Sequence, residues 1–239
     1  MGRFGPGLGT LTFGNETDEE GSFAQLDRFT EAGGSLIDTA DVYVGGRSEE
    51  IIGRWLSARP GVSDSVVVAT KGRFPTGPGP NGLGLSRQHL SRALDGSLRR
   101  LGVDTIDLYQ LHGWDPLTSV QETLRFLDDA VRAGKINYVG LSNFTAWQIQ
   151  KYVDLAEAGG LSSGPVAIAW LLARPAVTSV ILGARTLTQL NDNLAAADQP
   201  LDDDEIRRLN EASEPDTPDY PYGEKGQPHR RRTINPDPA

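Results

Sequence analysis

The chain has 239 residues, and 23 Lys and Arg against 32 Asp and Glu leave a formal net charge of −9 at pH 7. A hydrophobic fraction of 38% supports one packed core and excludes a disordered chain, while the absence of cysteine excludes a disulfide scaffold, a thiolate nucleophile and a Cys-ligated metal. The acidic balance argues against nucleic acid as a partner, and no apolar run reaches the roughly 18 residues of a membrane span. The first residues lack the long apolar segment of a secretory signal. The expectation is a soluble, cytoplasmic protein with a single domain over 1–239.

Strand-like and helix-like segments alternate along the chain. Gly9 and Thr10 end a first strand-like run, and Phe23, Leu26, Phe29 and Thr30 then share one helical face that stops at Gly33-Gly34. Ser35–Asp38 is short and apolar. Ile51, Ile52, Trp55 and Leu56 mark a second helix, opened by Ser48-Glu49-Glu50 and closed before Pro60. Val66–Lys71 is β-branched and almost continuously apolar, and the Gly- and Pro-rich stretch 72–84 reads as a surface loop after it. Leu90, Leu94, Leu98 and Leu101 lie at helical spacing before Gly102. Ile106–His112 follows as a strand, then Leu124, Leu127 and Val131 as a helix ending at Gly134. Tyr138–Asn143 and Ser179–Gly183 are the last two strand-like runs, with a helix from Trp147 to Gly159 after the first of them. Short apolar strands alternating with capped amphipathic helices predict right-handed βαβ units around a parallel sheet.

The C-terminal ends of these strands carry the chemistry. Asp38, Lys71, His112 and Asn143 each fall there, 33, 41 and 31 residues apart, or one βα unit per step. In a (β/α) barrel such ends open on one face. Tyr43 stands five residues beyond Asp38, so a carboxylate, a phenol, an ammonium and an imidazole share that face. Taken singly, Tyr43 also reads as a half-buried aromatic, Asp38 with Lys71 as a rim ion pair, and His112 as a core histidine. Asp41 reads as a loop carboxylate. With histidines at 89, 112 and 229 alone, no metal-ligand cluster is visible, and no GxGxxG run supports a Rossmann domain.

Six segments in order resemble the aldo-keto reductase family, in its bacterial type: Leu8–Gly14; Ile37-Asp-Thr-Ala-Asp-Val-Tyr43 with Gly46–Gly53; Ala69-Thr-Lys71; Tyr109-Gln-Leu-His112; Val139–Phe144; and Val180–Arg185. The resemblance implies an NADPH-dependent reduction of an aldehyde or ketone on a TIM-barrel-like α/β fold. It implies Tyr43 as proton donor, supported by Lys71, Asp38 and His112. The residue chemistry agrees, since an ammonium beside a phenol favours the phenolate and an imidazole aligns a carbonyl oxygen or assists proton transfer. By the same resemblance Ser142 and Asn143 bind the nicotinamide carboxamide. Gly183, Arg185, Gln189 and Asn193 resemble the stretch that holds the adenosine 2′-phosphate of NADP(H), and Gly9 and Thr10 line the pocket. Trp114 and Phe74 are candidates for the substrate wall. The tail, from about residue 213, resembles the C-terminal extension of bacterial members.

One departure from the family is large. Asn143 and Gly183 are 40 residues apart, room for one βα unit where the family has three, and Leu161–Pro175 already resembles the helix that leads into the last strand. The sixth and seventh strands are missing, with the join near Gly159-Gly160, which leaves about six strands. The missing part supplies, in the family, a glutamine for the carboxamide, a ring stacked on the nicotinamide and a loop over the pyrophosphate. Six strands either close a smaller barrel or leave two exposed edges that invite pairing with a second copy. The departure keeps open a non-reducing relative as the alternative: a cofactor-binding or regulatory protein, or a cofactor-free acid–base lyase or cyclase.

Overall fold

The helices begin and end where side-chain chemistry requires it, and their spacing sets the strands of a parallel sheet. The structure, a computed structural model, describes residues 7–79, 81–158, 181–183 and 186–187. The elements in order are β1 (Gly7–Gly9), α1 (Glu19–Glu31), β2 (Leu36–Asp38), α2 (Arg47–Ser57), β3 (Val67–Gly72), α3 (Arg87–Leu101), β4 (Ile106–Leu111), α4 (Val120–Arg132), β5 (Ile136–Leu141), α5 (Ala146–Ala158) and β6 (Ile181–Gly183). Asp18, Ser86 and Ser119 cap α1, α3 and α4 by accepting from the amides of Gly21, His89 and Glu122. At the far end of α3, Gly102 takes the left-handed conformation, φ 67°, that stops a helix without a Cβ penalty.

All strands run parallel in the order β5-β4-β3-β2-β1-β6. Leu8, Ile37, Val68, Tyr109 and Val139 join the helix side chains Phe29, Ile52, Trp55, Leu90, Leu94 and Leu127 in the main core. The alternate strand positions Leu36, Ala69 and Leu108 form a separate small cluster on the other face. Period-two alternation therefore sorts the strand residues. Asp38, Lys71 and Gln110 share the face of the small cluster, whereas Thr70, Tyr109 and Gly72 point toward the helices.

Among the described residues the six strands do not close into a smaller barrel, because β5 and β6 lie at opposite ends of the sheet and do not pair. Several strand bounds differ from expectation by a residue or two, most of all those of β5. β5 starts at Ile136 and ends at Leu141, not at Tyr138 and Asn143. Asn137 and Tyr138 are exposed, which interrupts the apolar run, and Asn143 at φ 57° turns the chain out of the extended region. The proposed join near 159–160, the stretch 161–175 and the tail from about 213 lie outside the described residues.

Candidate active site

Asp38 closes β2, Lys71 is the penultimate residue of β3, His112 follows directly on β4, and Asn143 stands two residues beyond β5. Because the strands are parallel, these four positions meet at one edge of the sheet. Lys71 is the hub. Its Nζ donates to Asp38 Oδ2 at 2.6 Å, to the Thr39 carbonyl at 2.8 Å and to the Tyr43 hydroxyl at 3.3 Å. The same ammonium lies 4.9 Å from the centre of the Tyr43 ring. Both side chains of the ion pair are about 5% exposed (5% and 6%), so the Lys71 ammonium depends on Asp38 and the Thr39 carbonyl for its solvation, and the Asp38 carboxylate on Lys71 and Gln110.

Gln110, within the Tyr109-Gln-Leu-His112 segment, completes this arrangement. Its Nε2 donates to Asp38 Oδ1 at 2.9 Å, so Asp38 is held through both oxygens. The signal available in the sequence was its spacing, two residues before His112 and therefore on the same face of β4.

His112 stacks edge-on against Tyr43, with ring centres 5.9 Å apart, and against Phe74 at 4.6 Å. Burial, then the positive charges of Lys71 and Arg73, push its pKa down to about 3. The imidazole is therefore neutral at ordinary pH. Asn143 reaches the same place from β5: its Nδ2 donates to the His112 carbonyl at 3.0 Å and to Ser142 Oγ at 3.1 Å.

The remaining predicted residues are distributed differently. Gly9 pairs with Asp38 on one side and Gly183 on the other, which puts three predicted positions on one level of the sheet. Thr10 is fully buried, and its hydroxyl bonds to the Asp38 carbonyl and to Ser48 Oγ. Ser48 also bonds to Thr39, so Thr10 ties β2 to the start of α2 beneath the site. Phe74 contacts His112, whereas Trp114 packs edge-on against Phe144 and Tyr152, with Lys151 5.7 Å over its ring. Arg185, Gln189 and Asn193 lie outside the described residues. Asp41, in the turn after β2, is a loop carboxylate that is 3% exposed.

A parallel β/α wall with a buried Asp–Lys pair, a phenol and a neutral imidazole at the C-terminal strand edge defines a barrel-type protein equipped for acid–base work at that edge. The sequence matches the profile of the Aldo/keto reductase family in two pieces, residues 7–154 and 149–214, and the chain belongs to this family. An oxidoreductase of Bacillus subtilis, YrpG, is 29% identical over 294 aligned positions, covering 85% of this chain and 90% of that protein. That alignment is longer than the 239-residue chain, so YrpG carries residues with no counterpart here, as a chain lacking an internal part of the barrel requires. Norsolorinic acid reductase of Aspergillus flavus is 39% identical over 168 positions, 65% of this chain and 43% of that protein. Aryl-alcohol dehydrogenase [NADP(+)] of Phanerodontia chrysosporium is 37% identical over 165 positions, 64% and 40%. The chain thus spans under half the length of the two fungal relatives.

Proposed function

We propose that this chain reduces the carbonyl group of a small aldehyde or ketone to an alcohol, with NADP(H) as hydride source and Tyr43 as proton donor. The observation that carries this reading is the position of Lys71 Nζ, bonded at once to Asp38, to the Thr39 carbonyl and to the Tyr43 hydroxyl. Carbonyl reduction adds a hydride to carbon and a proton to oxygen. The Tyr43 hydroxyl gives the proton, and the ammonium beside it stabilises the phenolate left behind. Asp38, fixed by Gln110, holds Lys71 charged and in place. His112 is neutral, so of the two roles open to it, alignment of the carbonyl oxygen by an N–H is favoured over giving up a proton. Phe74, against the His112 ring, supplies an apolar wall.

The donor set beside His112 suits the nicotinamide end of the cofactor. A hydroxyl and a side-chain amide, Ser142 and Asn143, sit together at the end of β5, and this pair would hold a carboxamide. The cofactor's chemistry there is hydride donation. The adenosine half is assigned, by family resemblance, to Gly183, Arg185, Gln189 and Asn193. The substrate names of the relatives are theirs, and for this chain the substrate class stays a small carbonyl compound.

Two measurements test the reading. Titration with NADPH, followed by its fluorescence, is expected to saturate; no saturation at millimolar cofactor removes the reductase and leaves the acid–base or regulatory alternatives. Tyr43→Phe is expected to retain NADPH binding and to lose carbonyl reduction by about 10²–10⁴-fold. Undiminished turnover in that variant removes Tyr43 as donor.

A further inference from the structure

Behind the site, on the helix-facing side of the sheet, lies a second set of buried ionisable groups that the reaction does not use. Glu49 on α2 is fully buried. It accepts from Thr70 Oγ1 at 2.5 Å and from Arg100 Nε at 2.7 Å. Asp41 is 3% exposed and feels the charges of both groups, and its carboxyl has no side-chain hydrogen-bond partner among the described residues. The Tyr109 hydroxyl is buried in the same way, and it lies so close to Gly72 that a Cβ there would overlap it. Two carboxyl groups and a phenol thus lie within the field of one guanidinium, and that guanidinium is bonded to Glu49.

The segment beside Asp41 is strained. The turn Tyr43–Gly46 carries Val44 at φ 50°, Gly45 at 65° and Gly46 at 94°. A β-branched residue in the left-handed region costs on the order of 1–3 kcal/mol and persists only when its surroundings enforce it. The Arg100 side chain lies under this turn: a Cβ on Gly46 would come within 2.8 Å of its Cδ and Nε. Arg100 also donates to Ser97 Oγ at 3.5 Å and so is anchored along its own helix.

We propose that Asp41 is a positioning residue that seats the Tyr43–Gly46 turn as a neutral acid, and that its ionisation draws Arg100 from Glu49 and unseats the turn. A buried carboxyl with no cation or side-chain donor in contact is better tolerated as the acid than as the anion. Burial, then the Glu49 carboxylate, push the Asp41 pKa up to about 8, against the pull of Arg100, the Val42 amide and Lys71. Those groups, with Tyr109 on β4, are the charged and titratable neighbours from α2, α3, β3 and β4. Once ionised, Asp41 competes with Glu49 for the single Arg100, and withdrawal of that side chain leaves the space under Gly46 unfilled. The consequence for turnover rests on Tyr43 being the proton donor proposed above. The ionisation of Asp41 does not.

The test uses the full chain and Asp41→Asn, which fixes the neutral state. In kcat against pH, the alkaline limb of the Asn variant is expected roughly one pH unit or more above that of the parent chain. Amide exchange in residues 40–48 is expected to be faster in the parent than in the variant at about pH 9, and alike in both at about pH 6. Glu49→Gln, which leaves Arg100 to Asp41, is expected to move both transitions to lower pH. Coincident limbs and coincident exchange in parent and Asn variant overturn the proposal. Should the chain reduce no carbonyl compound at all, the reductase reading falls alone, and the exchange comparison still decides the Asp41 device.

Discussion

Gln110 on β4 and Asp38 on β2 are joined at 2.9 Å across the intervening strand β3, from which Lys71 takes the other Asp38 oxygen. The carboxylate is thereby fixed from two strands, and the ammonium it holds is aimed at Tyr43. Gln110→Leu is expected to lower kcat about tenfold, the effect of one net hydrogen bond of roughly 1–1.5 kcal/mol, with cofactor affinity little changed. Gln110→Glu sets a second carboxylate against Asp38 and is expected to be worse. Steady-state kinetics of the two variants check the order.

Asn143 serves the fold and the site together, because its φ of 57° and its bond to the His112 carbonyl both require a residue of its kind. Asn143→Ala loses both and is expected to cost about 2 kcal/mol. Asn143→Gly keeps the backbone conformation and is expected to cost less than about 1 kcal/mol. Urea unfolding of the two variants tests this order; equal losses would show that the backbone conformation contributes nothing.

The neutral state of His112 has a signature in the pH dependence of stability. Its folded pKa of about 3 lies below the ordinary 6.5, so between these values the unfolded chain binds a proton that the folded chain refuses. The stabilisation linked to this group is complete above pH 6.5 and lost as the pH falls toward 3. His112→Gln is therefore expected to flatten the acid side of the stability curve over that window, by several kcal/mol at its lower end. Denaturation measured at a series of pH values reads it, and parallel curves would place the imidazole in contact with solvent.

Gly53 marks a close approach of α2 to the end of α3. A Cβ there would run into the backbone carbonyls of Arg100 and Leu101, which have no side-chain freedom with which to yield. Ordinarily Gly→Ala within a helix stabilises by about 1 kcal/mol. At this position overpacking wins, and Gly53→Ala is expected to destabilise by about 1–3 kcal/mol on balance. Thermal unfolding gives the sign directly.

What was legible in the sequence was whatever depends on strand period and chain order. Asp38, Lys71, His112 and Asn143 stand one βα unit apart, and parallel strands bring residues so placed to a common edge. The capped amphipathic helices were legible for the same local reasons. Gln110 was not, because an amide at an alternate position carries no charge to mark it. Asp41 read as a loop carboxylate, and its burial was not legible because residues near in sequence do not set it. Trp114 and Phe74 were indistinguishable as aromatic residues after strands; only their neighbours separate them, with Phe74 against His112 and Trp114 in the Phe144–Tyr152 cluster. Thr10 follows a strand like a pocket residue, yet its hydroxyl is turned to Ser48.

The pairing of β1 with β6 also has a kinetic side. Gly7 meets Ile181 in register, so β1 gains its second neighbour from a segment far along the chain. Contacts of such sequence separation close the largest loops and form slowly. The units from β2 to β5, each next to its predecessor, can assemble as they emerge, and β1 is left with a bare flank until the chain has passed residue 183. During that interval the nascent protein is most open to the wrong partner strand.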